Sequence, residues 1–203
     1  MTPPLRRSLA LACAMLGIAA LSGCVAPVGP VEVTRFHAPE TDVLGRGEIS
    51  VVPARGEDGE SLEFRSYAAA VARELVRIGY VEKATGSGSP QIAVVRVTRQ
   101  IVEPGGARSP VSVGVGGSTG SYGSGVGVGI GFDLSPRPSE QIETTLAVVI
   151  RDRETRKSLW EGRASFTVTA TSPLSNTQLG APKLAEALFR GFPGESGETI
   201  LVE

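Results

Sequence analysis

The chain has 203 residues, a formal net charge of −1 and a single histidine, with 41% hydrophobic and 20% charged residues. That balance offers no basic field for nucleic acid, and one histidine excludes a multi-histidine metal centre. The length suits one domain with a real core.

The N-terminus divides like a secretory signal. Arg6 and Arg7 form a positive start, and Leu9 to Leu21 is an uncharged, nearly all apolar run of 13 residues. About 20 apolar residues are needed to span a bilayer, so this run is too short for an ordinary membrane helix. It ends in Leu21-Ser22-Gly23-Cys24, a small-residue cleavage site followed by a cysteine. This tetrapeptide resembles the lipobox of bacterial lipoproteins, which implies cleavage between Gly23 and Cys24 and a lipid on the Cys24 thiol. A thiolate is the nucleophile suited to that step. The Arg6-Arg7 pair alone is weak evidence for twin-arginine export, and general secretion is the expected route. Residues 1–23 are therefore expected to be removed. The mature chain then loses two arginines and no acid, becoming more acidic. Cys13 leaves with the signal and Cys24 is consumed by lipid, so neither a disulfide nor a thiol nucleophile is expected.

Val25 to Pro30 is a Pro/Gly tether reaching about 20 Å when extended, which keeps a domain starting at 31 near its membrane. Val31–Phe36 alternates like a strand, and Glu48–Ala54 is a second strand candidate. After the acidic tip Glu57-Asp58-Gly59-Glu60, the residues Phe64, Tyr67, Val71, Leu75 and Ile78 recur at helical spacing. Ser61 or Ser66 caps that helix and Gly79 ends it. Gln91–Val102 is rich in β-branched residues and reads as a strand.

Val111–Phe132 is an uncharged stretch of 22 residues with nine glycines. No G-x-G-x-x-G and no glycine followed by Lys-Ser/Thr occurs in it, which argues against a nucleotide loop. Val126, Val128 and Ile130 alternate with glycine, as do Val113 and Val115. The stretch is either an irregular loop or a hairpin whose bare glycine face meets a partner. Val126, Val128 and Ile130 are the candidate contacts.

Gln141–Arg151 and Ser158–Thr169 read as strands joined by a charged turn. Ile142, Leu146, Val148 and Ile150 share one face of the first; Trp160, Phe166 and Val168 share one face of the second. Leu179–Phe192 reads as a helix with Pro182 near its first turn, and Thr199–Val202 as an edge strand. The expected fold is α+β, a two-layer domain over residues 31–203 with an antiparallel or mixed sheet, two helices and a glycine-rich hairpin or loop at 113–132.

His37 is a strand-end polar residue lacking an identified Ser or acid partner. Trp160 is expected in the core. Glu57, Asp58 and Glu60 lack the alternating oxygen ligands of a calcium loop. No catalytic residue, cofactor site, metal site or nucleotide site is assigned.

Four fragments carry a family resemblance: Val33-Thr-Arg-Phe-His37; Ser61-Leu-Glu-Phe-Arg-Ser-Tyr67 with Gly79-Tyr80; Ser158-Leu-Trp-Glu-Gly-Arg-Ala164; and Ala187-Leu-Phe-Arg-Gly-Phe-Pro-Gly194 with Ser196-Gly197. In this order they resemble the bacterial envelope lipoproteins grouped as domain of unknown function 4136. The resemblance implies an envelope lipoprotein with one α+β domain, and it supplies no catalytic or binding residues. Lipoprotein sorting commonly retains proteins with aspartate after the lipidated cysteine in the inner membrane. Val25 stands there in this chain, which implies the periplasmic face of the outer membrane, with the membrane as partner through Cys24. The expectation is a non-enzymatic protein binding an envelope protein partner. Its alternatives are a carrier of a lipid or other apolar ligand, and an envelope hydrolase requiring His37.

Overall fold

A computed structural model describes residues 29–102, 111–120, 123–132 and 139–203. Gly23 and Cys24 lie outside the described residues, as do the signal and most of the tether. For the two glycine-rich strands, 111–120 and 123–132, only the backbone is described.

The strands are β1 (Val31–His37), β2 (Glu48–Pro53), β3 (Val81–Glu82), β4 (Gln91–Val102), β5 (Val111–Gly120), β6 (Gly123–Phe132), β7 (Gln141–Asp152), β8 (Ser158–Thr169) and β9 (Thr199–Val202). The helices are α1 (Leu62–Arg77) and α2 (Thr177–Phe189), and a 3₁₀ turn at Pro173–Ser175 leads into α2. Seven strands form one mixed sheet in the order β3-β2-β4-β7-β8-β1-β9. β2 runs parallel to β3 and β4, and the other neighbours are antiparallel. With α1 and α2 packed against it, this is the expected α+β fold with a mixed sheet.

Period-two alternation puts Val31 and Val33 of β1, Ala93 and Val95 of β4, and Leu146, Val148 and Ile150 of β7 inside. Trp160, Ala164, Phe166 and Val168 continue that face on β8. The helices bring Phe64, Tyr67, Val71 and Leu75 from α1, and Leu184, Leu188 and Phe189 from α2. Burial of such side chains contributes about 1.5–3 kcal/mol each, so this layer contact dominates the stability.

Helix ends follow local chemistry. Ser61 caps α1, its Oγ accepting from the Phe64 N–H at 3.1 Å. Ser66 instead donates to the Leu62 carbonyl inside the helix. Gly79, at φ 114°, turns the chain out of α1; a Cβ there would meet the Gly45 carbonyl oxygen at 2.5 Å. Asn176 caps α2 by accepting from the Gln178 N–H, so α2 starts two residues before the expected Leu179. Pro182 therefore lies in the second turn, not the first, and α2 ends at Phe189, before Gly191 and Pro193. Among the described residues, no helix is long and apolar enough to cross a membrane.

β5 and β6 pair antiparallel in a separate two-stranded sheet. Val126, Val128 and Ile130 register with Gly117, Val115 and Val113. Which partner those side chains meet lies outside the described residues.

Candidate functional site

The helices cover one face of the sheet, and among the described residues no helix covers the other. The residues between the buried positions line that open face: Glu32, Thr34 and Phe36 on β1, Val94, Arg96 and Thr98 on β4. Thr145, Ala147, Val149 and Arg151 follow on β7, and Glu161, Arg163 and Ser165 on β8. Together they surround a surface hollow of about 950 Å³.

The register assembles its charge. Ala147 pairs with Arg96 on one side and Arg163 on the other. The two arginines therefore stand two strand spacings apart, about 10 Å. One row along, Val94, Val149 and Glu161 align with Phe36, and Arg151 follows Val149 on the same face. Four arginines line the hollow (Arg55, Arg96, Arg151 and Arg163) against two glutamates, Glu32 and Glu161. The hollow is thus basic in a chain whose formal net charge is −1. Among the described residues, none of the four arginines forms an ion pair, whereas Arg77, Lys83, Arg99, Lys157 and Arg190 all do. Arg151 Nε is enclosed with no hydrogen-bond partner among the described residues.

Behind this face, three of the four fragments singled out in the sequence meet in one knot. Arg35 points inward, 5% exposed. Its Nε donates to the Leu188 carbonyl and its Nη2 to the Ala187 carbonyl, both at 3.0 Å. A guanidinium here supplies a donor to the Leu188 carbonyl and a second one to the Ala187 carbonyl, which also accepts from the Arg190 N–H at 3.4 Å, and its charge complements the helix end. Burial lowers the Arg35 pKa, and Glu198 acts in the opposite direction. Trp160 stacks on Phe189 with centroids 5.3 Å apart, and its Nε1 donates to the Pro193 carbonyl at 3.0 Å. Phe192 packs on both rings. Gly162 and Gly194 make room: a Cβ at Gly162 would collide with the Trp160 ring, and one at Gly194 would lie 2.8 Å from Arg35 Nη1. The knot fixes β1 and β8, and with them Phe36, Glu161 and Arg163 on the open side.

His37 ends β1 beside Trp160 in register. Its Nδ1 lies 2.8 Å from the Ala38 carbonyl, which can only accept, so Nδ1 carries the proton in this contact. Ser196 bonds the His37 backbone, its Oγ accepting from the amide at 3.2 Å. The contacts joining Ser196 to His37 thus run through backbone, not through the imidazole. Glu57, Asp58 and Glu60 form a local turn in which Asp58 accepts from the Glu60 N–H. A second surface hollow, of about 480 Å³, lies where α1 and α2 end, between Arg46, Arg77, Ile78 and Phe192.

Sequence reasoning missed the open-face arginines and Arg35. The signal for the first was strand alternation, which puts positions 96, 151 and 163 opposite their apolar neighbours; only the register of β4, β7 and β8 brings them together.

The sequence matches the family model described as "Domain of unknown function (DUF4136)" over residues 36–194. The chain belongs to that family. It is similar to the uncharacterized protein ZMO1243 of Zymomonas mobilis, at 28% identity over 86% of this chain and 80% of the relative. Among solved structures it is similar to a PDZ domain protein from Parabacteroides distasonis, with a TM-score of 0.49 and 10% identity. That match covers 95% of this chain but 42% of the other, so this chain spans less than half of that protein's length. A PelC dodecamer from Paraburkholderia phytofirmans matches with a TM-score of 0.39 and 10% identity, over 76% of this chain and 97% of the other.

Proposed function

We propose that this chain is a lipid-anchored protein of the bacterial envelope that binds a protein partner close to its membrane. The anchor rests on the sequence: the arginine start, the 13-residue apolar run and Cys24 at the end of a lipobox-like tetrapeptide. Val25 after the cysteine, where aspartate commonly marks inner-membrane retention, supports the periplasmic face of the outer membrane. Several acyl chains make such attachment stable, where one chain binds marginally.

The observation that supports the partner reading is the sheet face that no described helix covers. A mixed sheet with helices on one side alone leaves its second side to solvent or to another molecule, and here that side is a broad, basic hollow. The carrier alternative requires space between helices and sheet. In the described structure that layer is filled by Tyr67, Leu75, Trp160, Leu184 and Phe189, each essentially inaccessible to solvent. The hydrolase alternative finds no support in the backbone contacts of Ser196 and His37.

A photo-crosslinking residue at Ala147, in the floor of the hollow, tests this reading in cells against the same residue at the exposed Arg73 of α1. A discrete protein adduct from position 147 and none from 73 is expected. Equal adducts from both positions, or none from 147, overturns it. Deleting residues 113–131 and repeating the crosslink tests the glycine-rich strands; unchanged adducts remove Val126, Val128 and Ile130 from the contact.

A further inference from the structure

We infer that the partner presents an extended acidic segment, whose carboxylates dock on Arg96, Arg151 and Arg163 while its apolar side chains rest on Val94, Ala147 and Val149. This inference rests on the partner reading above and names the chemistry of the contact.

Charge is the first argument. The hollow holds four arginines and two glutamates, in a protein that is otherwise slightly acidic. Arginine has donors and no acceptor, and its planar fork matches a carboxylate with two parallel hydrogen bonds. Glu161 shares a strand with Arg163, and Glu32 lies on neighbouring β1, yet neither forms an ion pair with a described arginine. The guanidinium groups of Arg96, Arg151 and Arg163 are therefore not neutralised by described carboxylates on their own face. Arg151 Nε likewise has no acceptor among the described residues.

The floor is the second argument. Between the arginines the surface is half-buried and apolar, through Val94, Ala147 and Val149, and Phe36 stands at its edge with 54% of its surface exposed. Simple anions would leave these groups uncovered. An extended segment with acidic and apolar side chains on the same face, acid and apolar residue two apart, covers both kinds of surface. Same-face residues of an extended chain lie two or four apart, about 7 or 13 Å at about 3.3 Å per residue. The long side chains of Arg96 and Arg163, about 10 Å apart across Ala147, reach carboxylates four residues apart with an apolar residue between them over Ala147.

The test uses the full-length protein purified in detergent and a fluorescent peptide repeating glutamate-serine-leucine-serine, which puts glutamate and leucine on one face of an extended chain, read by anisotropy. Binding that weakens with salt is expected, with none for the matching peptide in which lysine replaces glutamate. The double variant Arg96→Gln/Arg163→Gln is expected to bind at least about tenfold more weakly. Arg190→Gln, which alters an exposed pair on α2, should bind as the parent does. Both changes lie at exposed positions, and an unchanged thermal midpoint confirms that the variants fold. Peptide affinity unchanged in the double variant overturns the inference. So does tighter, arginine-dependent binding of polygalacturonate, which assigns the face to an anionic glycan. Position 147 adducts that persist in cells in the double variant sink the acidic-segment inference and leave the partner reading standing. Peptide binding without any adduct in cells overturns the partner reading and the inference with it, leaving only an acidic-peptide-binding face.

Discussion

Replacing Arg35 by methionine removes both hydrogen bonds to the end of α2 while keeping much of the buried stem volume. The Ala187 and Leu188 carbonyls lose a charged donor in a site where Arg35 is 5% exposed. A hydrogen bond to a charged group contributes about 1.5–3 kcal/mol, and a buried carbonyl left without it costs a comparable desolvation penalty. The two effects overlap, so the expected loss is about 3–5 kcal/mol. Urea unfolding followed through Trp160, the single tryptophan, reads it directly because that ring stacks on Phe189 beside Leu188. With a slope of about 2 kcal/mol per molar urea, the midpoint falls by roughly 2 M. Arg35→Lys, which keeps the charge but not the fork, should fall between the two. Gly194→Ala should also destabilise the parent, because its φ is 80° and the new Cβ would lie 2.8 Å from Arg35 Nη1. In the Arg35→Met background part of that penalty vanishes, giving a coupling of at least about 0.5 kcal/mol. An unfolding free energy for Arg35→Met within about 0.5 kcal/mol of the parent's refutes the helix-end argument.

Gly162→Ala drives a methyl into the Trp160 ring and 2.8 Å from Leu188 Cδ1; overpacking should cost about 1–3 kcal/mol and alter the near-ultraviolet dichroism of Trp160. Burial raises the pKa of Tyr67 and Tyr80 above the ordinary value of 10.0. Their contribution is present below that ordinary value and lost as pH rises through the folded values. Alkaline unfolding should therefore coincide with a cooperative rise in tyrosinate absorbance, whereas early titration of all three tyrosines would contradict their burial. Asp152 is held below its usual range by the Thr155 amide and hydroxyl. Its contribution is present above the unfolded value and lost as pH falls through the folded one. Thr155→Val, which removes the hydroxyl bond, should raise the acid titration of Asp152 seen by carboxyl NMR.

Local patterns carried most of the architecture. The helical spacing of Phe64 to Leu75 and the strand alternation of Leu146 to Ile150 each report the burial of one face, and burial is what the core selects. β4, β8 and β9 kept their expected bounds for that reason. β3 was not legible, since two exposed residues have no periodicity and are ordered only by pairing with Glu48 and Ile49. The start of α2 was misread because Asn176 supplies its cap before the apolar pattern begins. The site was less legible than the fold. Arg96, Arg151 and Arg163 are separated by long stretches of chain, and each resembles an ordinary solvated charge until the sheet register sets them around Ala147. Arg35 reads as the polar member of an alternating strand, yet it faces inward because the end of α2 offers two carbonyls to it.

The most direct test of the account compares crosslinking from position 147 in cells carrying native Cys24 with cells carrying Cys24→Ser. The account predicts a membrane-associated protein with a discrete adduct in the first. In the second, it predicts release from the membrane fraction and loss or marked weakening of that adduct. Membrane association and an identical adduct in both would contradict the claim that a lipid on Cys24 positions this domain for its partner.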